Sequence, residues 1–261
     1  RELQARRRLR ARVARQARLL RMTWSIVARD ADGAFGVAVA SRFFAVGMYC
    51  PHARSGVGAL STQALVNPLY GKEGLDFLEK GFSPSRALEE LLKKDEGRDH
   101  RQVHLINSRN EIAAHTGKAC IDWCGHLAGD GCSVAGNMLT GPDVLERTLE
   151  IYLREKKLSF PERLLTAMAA GEAAGGDKRG KQGAALRIHT TEDYAFLDLR
   201  VDDHEEPLRE LRRLYEKSLE RFQPFAACLP SRARPAGITD RALIEAEVAR
   251  FQTRMRGKEG S

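Results

Sequence analysis

The stretch "TWSIVARDADGAFGVAVAS", residues 23–41, decides the fold. Two runs of strand-forming residues flank Asp30-Ala31-Asp32-Gly33, and an Asp-Gly step between such runs is typical of a β-hairpin turn. The second run, residues 34–40, has almost no polar face, whereas a strand with one face in water alternates apolar and polar residues. We therefore expect a hairpin within a sheet that is covered on both sides.

The rest of the chain repeats this scheme of strand groups followed by helix pairs. Further strands are predicted within 55–65, 101–107, 111–117, 132–140, 184–190 and 194–201. Helices are predicted at 71–80, 84–94, 142–157 and 161–174, from 205 onward, and at 239–255. Ser83 as N-cap and Pro84 at the first helical position mark one helix start. Hairpins linked by helix pairs predict an α+β fold with mainly antiparallel sheets, arranged as a four-layer αββα sandwich.

The net charge of +8 is confined to the first 21 residues. Of 43 basic and 35 acidic residues, nine arginines and one glutamate lie there, which leaves 34 of each sign in the remainder. We therefore predict a basic extension at 1–21, disordered or helical, a sandwich domain at 22–204, and a helical segment at 205–261 that packs on it. A neutral domain does not favour nucleic-acid binding.

Compartment and cofactors are predicted from composition. Five cysteines form an odd set in a chain too large to need disulfide bonds, and no apolar run is long enough for a signal peptide or a membrane span. We expect free thiols and a cytoplasmic location, with no membrane span and no cofactor. A homodimer is expected because an exposed amphipathic C-terminal helix often supports pairing.

The Met22-Thr23 step raises a specific chemical possibility. A threonine hydroxyl is a weak nucleophile, but an N-terminal threonine can pass its proton to its own α-amine, whose pKa lies near ~7.7–8.0. Translation from Met22 followed by methionine removal would make Thr23 the first residue. The alternative is that Met-Thr is ordinary sequence at the start of a strand.

Seven segments in one order carry a resemblance to a known family. They are "MTWSIVARDADGAFGVAVASRFFAVG", "GVGALSTQALVNPLYGKEGLDFLEKG", "DHRQVHLIN", "AAHTGKAC", "SVAGNMLTGPDV", "AAGGDKRGKQGAAL" and "LDLRVDDHEEPLRELRRLY". Together they span roughly residues 22–215, and they resemble the family called domain of unknown function 1028. That family is grouped with the N-terminal nucleophile (Ntn) hydrolase-like αββα proteins, and its members typically begin at this step. The resemblance therefore implies Thr23 as the catalytic nucleophile.

Such a nucleophile needs partners, and the strand ends near it supply candidates. Asn137, at the end of a predicted buried strand, is the best side chain to stabilise an oxyanion, although a turn asparagine beside Gly136 is the plain alternative. Arg42, directly after the second strand, could hold the amine neutral, or could be an ordinary surface residue. Ser41 is an alternative hydrogen-bonding partner.

The glycine-rich segment 175–183 is a second source of candidates. Asp177 could orient the amine, while Arg179 and Gln182 could bind a substrate carboxylate or amide. A phosphate-binding P-loop is excluded, since the lysine is not followed by Ser or Thr after the required glycine spacing. Gly183 stands where the resembled family usually has serine, which puts activity or specificity in doubt. The plain alternative is a loop that ends a helix.

Histidines and cysteines concentrate between residues 100 and 132. Cys120, Cys124 and Cys132 lack the tight CxxC spacing of a zinc knuckle, and His100 and His104 lie too far apart on a strand. Buried thiols and strand histidines are the simpler interpretation. His115 is the one histidine expected to face a site.

Three hypotheses follow. The first is an Ntn-type amidohydrolase that cleaves a C–N bond of a small amide-type substrate, with Thr23, Asn137 and Asp177 catalytic and no metal. The second is a non-catalytic binding or assembly protein that keeps the αββα scaffold. The third is a zinc hydrolase that uses the 100–132 cluster.

Overall fold

A computed structural model describes residues 23–175 and 181–259. Strands β1 to β10 are Thr23–Arg29, Phe35–Ser41, Pro51–Arg54, Gly58–Ala64, Arg101–Asn107, Ile112–Thr116, Gly125–Gly129, Cys132–Asn137, Gly183–His189 and Leu197–Val201. Helices α1 to α8 are Val46–Tyr49, Leu69–Glu79, Pro84–Lys94, Asp143–Arg154, Phe160–Ala173, Pro207–Glu220, Phe222–Ala226 and Arg241–Glu259. The predicted extension at 1–21 lies outside the described residues.

The strands form two antiparallel sheets, which confirms the prediction of a mixed fold with antiparallel pairing. One sheet has six strands in the order β10-β9-β2-β1-β8-β7, and the other has four in the order β3-β4-β5-β6. The predicted hairpin is the centre of the six-stranded sheet, with Thr23 opposite Ser41 and Arg29 opposite Phe35.

Alternation along β1 divides its side chains between two environments. Trp24, Ile26 and Ala28 are buried in one cluster with residues of α4 and α5. Val27 points the other way and packs with Ala59 and Ile106 of the four-stranded sheet. Both faces of β1 are therefore covered, which explains why the central hairpin is apolar throughout.

The four-stranded sheet has its own helix pair on the face that turns away from β1. Leu60 and Leu105 from its strands pack with Leu75 of α2 and with Leu88 and Leu91 of α3. The Ser83 side chain accepts a hydrogen bond from the backbone N–H of Arg86, so the predicted cap of α3 is confirmed.

The C-terminal part contributes a helix to the larger core. Leu208, Leu211 and Tyr215 of α6 are buried in the cluster beneath the six-stranded sheet. Among the described residues, no helix combines the length and the apolarity needed to cross a membrane.

Three short elements were not predicted, and several predicted elements were too long, among them the strands at 55–65, 132–140 and 194–201. The helix α1 and the strands β3 and β7 fall in segments without a clear period. The strand predicted at 132–140 ends at Asn137 because the next residue, Met138, has a positive φ of 58° and leaves the sheet.

Candidate functional site

Thr23, Ser41 and Asn137 lie side by side at one end of the six-stranded sheet. Thr23 is the first residue of β1 and is paired with Ser41 of β2 on one side and with Asn137 of β8 on the other. The Thr23 and Ser41 hydroxyl oxygens are 2.8 Å apart. Directly paired residues point to the same face of a sheet, so three residues from distant parts of the sequence form one polar row. We call it the strand-end row.

The strand-end row opens into a pocket between the two sheets, with a volume of about 310 Å³. Thr23 lines it together with Gln63, Cys50 and Arg101. The remaining lining side chains are apolar except for the Tyr49 hydroxyl: Phe43, Val46, Tyr49, Ala64, Leu65 and Val66. Thr23 is only 7% exposed, so a molecule reaches its hydroxyl through this pocket.

Arg101 and Asp95 form an ion pair in the pocket wall. Arg101 Nε lies 2.9 Å from Asp95 Oδ2, and Arg101 Nη1 donates to the Leu65 carbonyl at 2.6 Å. The hydrogen bond from Arg101 holds the pKa of Asp95 well below its usual range. The pair fixes the loop after β4, which carries Leu65 and Val66 into the pocket.

Cys50 is the only cysteine among the described pocket-lining residues. Burial raises the pKa of its thiol to about 12. A thiol needs deprotonation to act as a nucleophile, so Thr23 is the nucleophile candidate of this pocket.

Gln102 connects the strand-end row to the four-stranded sheet. Its Oε1 accepts hydrogen bonds from Asn137 Nδ2 at 3.0 Å and from Gln63 Nε2 at 2.8 Å. Its Nε2 donates toward the Gly136 carbonyl at 2.8 Å. These contacts fix which way the Asn137 amide faces, and they occupy one of its two N–H groups.

The polar contacts continue behind the row, in the space between the sheets. The Ser25 hydroxyl donates to Gln63 Oε1 at 2.7 Å and lies 2.8 Å from His104 Nε2. His104 Nδ1 is 3.0 Å from the Ser133 hydroxyl. Because Ser25 donates to Gln63, it accepts from His104, which assigns the proton to Nε2. Burial lowers the pKa of His104 to about 3, so the ring is neutral.

Strained backbone surrounds the pocket. Ala45, Ala64 and Met138 have positive φ angles of 53°, 66° and 58°. Ala45 immediately precedes α1, Ala64 lines the pocket, and Met138 follows Asn137. Non-glycine residues in this region cost about 1–3 kcal/mol each and gather at functional sites.

Arg42 and Gln182 lie close to the strand-end row but are not among the described lining residues of the pocket. Arg42 lies next to Ser41 in the bend after β2, outside the described lining of the pocket. The Gln182 backbone N–H donates to the Ser41 carbonyl at 3.0 Å, while its side chain donates to Asp203 at 3.0 Å. Gln182 therefore adjoins the row but is turned toward Asp203. Asp177 and Arg179 lie outside the described residues.

His115 is not brought to Thr23. It lies on β6, paired with Val103, whose side chain packs toward α2 and α3. Its Nε2 is 2.9 Å from the Arg98 carbonyl. His115 therefore faces the helix side of the four-stranded sheet, whereas Thr23 faces the space between the sheets.

Gly183 continues the strand-end row, opposite Ser41. A Cβ atom at this position would lie 2.8 Å from the Phe43 carbonyl oxygen and 3.1 Å from that of Val201. Real Cβ atoms essentially never approach so closely. The backbone around Phe43 thus accounts for glycine here.

The histidines and cysteines of residues 100–132 do not gather into a metal site. Within residues 23–175 and 181–259, no group of three His, Cys, Asp or Glu side chains is placed to hold a metal ion. Cys132 is buried on β8 among apolar residues, while His104 is bound to Ser25 and Ser133.

Gln63 and Gln102 are the residues that the sequence analysis missed. Each is polar at a strand position whose alternation points toward the other sheet, as in "LSTQAL" and "RQVHLIN". A polar residue on a predicted buried face needs a partner. That rule is the signal that could have singled them out.

Comparisons with known proteins identify a family and a similar structure. Residues 23–211 match a family of unknown function, DUF1028. A crystal structure of a DUF1028 protein from Silicibacter pomeroyi is similar over 84% of this chain and 96% of that one, with 30% identity and a TM-score of 0.78. The comparison with curated proteins gave no match.

Proposed function

We propose that this chain, which belongs to the DUF1028 family, is an N-terminal nucleophile hydrolase that cleaves a C–N bond of a small amide. The observation that carries the proposal is the position of Thr23. It lies on β1, one of the two central strands of the six-stranded sheet, its hydroxyl is 2.8 Å from that of Ser41, and it lines the pocket.

The layer order supports the same proposal. Helices α4 and α5 pack on the six-stranded sheet, that sheet packs on the four-stranded one, and α2 and α3 pack on the far side. We interpret this as the four-layer αββα sandwich of Ntn hydrolases. Fold alone does not specify chemistry, so the proposal depends on the residues of the strand-end row.

The proposed reaction starts once Thr23 has become the N-terminus. Its Oγ1 attacks the amide carbon, and the hydroxyl proton passes to the α-amine of the same residue. The free N–H of Asn137 stabilises the oxyanion. The C–N bond then breaks, and the leaving amine takes the proton from the ammonium group. Water attacks the resulting Thr23 ester, which releases the acid and restores the hydroxyl.

The test compares two forms of the protein. Translation from Met22 is followed by intact-mass measurement, which should give the mass of a chain that begins at Thr23. A β-lactone probe should acylate Thr23 in this form and leave unlabelled a chain that retains the preceding residues. Labelling is located by tandem mass spectrometry.

Variants at Thr23 complete the test. Thr23→Ala should abolish labelling, and Thr23→Ser, which keeps a hydroxyl, should retain part of it. Equal labelling of the longer chain, or labelling that survives Thr23→Ala, would contradict the proposal. A non-catalytic binding protein would then be the better interpretation.

A further inference from the structure

Most of the side chains that line the pocket beside Thr23 are apolar, and the Gln63 amide among them is already hydrogen-bonded within the protein. The Gln63 amide donates both N–H groups inward, to Gln102 Oε1 at 2.8 Å and to the Ala135 carbonyl at 3.1 Å. Its Oε1 accepts from Ser25 at 2.7 Å. The Gln63 amide is therefore already hydrogen-bonded within the protein and does not bind a molecule in the pocket.

Arg101 is the one basic residue among the described lining, and its charge is compensated. Asp95 accepts from its Nε at 2.9 Å, the Leu65 carbonyl accepts from Nη1 at 2.6 Å, and Nη2 is turned toward Gly97. The side chains of Arg101 and Asp95 are 22% and 12% exposed. The ion pair carries no net charge, and an anionic substituent beside Arg101 would also lie near the Asp95 carboxylate.

The size of the pocket limits what it holds. About 310 Å³ is at the lower end of the range for small-molecule sites. Its apolar lining residues come from two segments, residues 43–49 and 64–66. Removing apolar surface from water is the interaction that such walls provide.

We infer that this pocket selects amides that carry an uncharged apolar group next to the scissile bond, and that it rejects amides with a carboxylate there. The inference rests on the proposed function, because it places the scissile bond at Thr23. Medium-chain acyl amides and small arylalkyl amides are the substrate class. Short polar amides and dicarboxylic monoamides are excluded.

The first experiment measures hydrolysis of p-nitroanilides by the protein that begins at Thr23. We expect kcat/KM to rise about fourfold for each methylene from acetyl through butyryl to hexanoyl. The succinyl anilide, which matches butyryl in length but bears a carboxylate, should be at least tenfold poorer than butyryl. Equal or faster hydrolysis of the succinyl compound would overturn the inference.

A binding measurement separates this inference from the hydrolase proposal. Isothermal titration of Thr23→Ala with butyramide and with succinamate, which match in length, does not depend on turnover, and butyramide should bind at least tenfold more tightly. If that preference holds while no anilide is hydrolysed, the pocket assignment stands and the hydrolase proposal fails. If anilides are hydrolysed without apolar preference, the reverse is true.

A pair of variants locates the effect in the pocket. Tyr49→Asp places a carboxylate in the lining and should weaken hexanamide binding by at least tenfold. Phe44→Asp makes a comparable change two residues before α1, at a residue that is 61% exposed and outside the described lining, and should bind hexanamide like the parent. Equal weakening by both variants would contradict the assignment.

Discussion

Asn137 shows how one side chain is prepared for a role by its neighbours. Its Nδ2 donates to Gln102 Oε1 at 3.0 Å, and Gln102 is held in turn by Gln63 and by the Gly136 carbonyl. All three amides are at most 2% exposed. An amide so fixed does not need to reorganise when charge develops near it, which is the condition for efficient oxyanion stabilisation.

Replacement of Asn137 tests this role. Asn137→Ala removes the donor, and we expect kcat on the hexanoyl anilide to fall by about 10²–10³ with little change in KM. Circular dichroism serves as the folding control. Turnover at the parental rate in a folded Asn137→Ala protein would exclude it as the oxyanion donor.

Gly183 is predicted to be required by packing. Gly183→Ser would force a Cβ against the Phe43 carbonyl oxygen at 2.8 Å, and overpacking of this kind costs about 1–3 kcal/mol. The free energy of unfolding from urea titration measures the loss. Gly141→Ser is the matched control, because a Cβ at Gly141 meets nothing within 4 Å, and it should change stability by less than ~0.5 kcal/mol.

At the scale of elements, the sequence predicts those structures whose signals are local. The hairpin of β1 and β2 has its Asp-Gly turn, and α3 has its Ser-Pro start. By contrast, β7 reads "GHLAG" and α1 is one turn preceded by left-handed Ala45. Such elements exist because neighbouring strands and the core hold them, which a single sequence does not reveal.

The difference between local and non-local signals also explains which site residues were predicted from the sequence. Ser41 and Asn137 were predicted because each stands at the end of a recognisable strand, whereas Thr23 was predicted from the Met22-Thr23 step and the family resemblance. Gln63 and Gln102 were missed because their importance depends on the register between β4 and β5 and on contact with β8. No local pattern encodes contact between two sheets.

The cap of α3 gives a prediction at this scale. Ser83→Ala removes the acceptor of the Arg86 N–H and should lower the free energy of unfolding by about 1 kcal/mol. Ser85→Ala, at an exposed position that is the second residue of the same helix, should have a much smaller effect. Equal effects of the two variants would rule out capping as the cause.

Across the whole molecule, the space between the sheets has an apolar half and a polar half. Val27, Phe35 and Ile106 fill the first. The second contains the contacts among Ser25, His104 and Ser133, behind the strand-end row. Buried polar groups that are fully paired impose one relative position on the elements that carry them, so this half aligns the two sheets behind Thr23.

His104 makes that alignment sensitive to pH. Its pKa falls from 6.5 in the unfolded chain to about 3 in the fold because of burial. The unfolded state therefore binds the proton first as pH falls, and the stabilisation present above pH ~6.5 is lost progressively toward pH ~3. Lowering the pH from 7 to 5 should therefore reduce the free energy of unfolding by about 2 kcal/mol through His104 alone.

Urea titrations of the parent and of His104→Gln at both pH values measure this cost. The variant should be less stable than the parent at both pH values. Between pH 7 and pH 5, however, its free energy of unfolding should fall by about 2 kcal/mol less than that of the parent. His189, whose pKa is lowered to about 4 by burial, contributes equally to both proteins. An identical pH dependence in parent and variant would show that His104 is not the sensitive group.

The strand-end row also sets the order in which the molecule can be completed during synthesis. Its members are contributed by β1, β2, β8 and β9. The row is therefore complete only when Gly183 has been synthesised, 160 residues after Thr23 (183 minus 23). At about 5–20 residues per second, a ribosome needs roughly 8–32 s to supply them. Until β8 and then β9 have been made, the hairpin of β1 and β2 lacks its neighbouring strands, and the nascent chain is exposed to aggregation at this apolar hairpin. Rare-codon pauses before residue 183 should therefore reduce the yield of folded protein more than pauses after it.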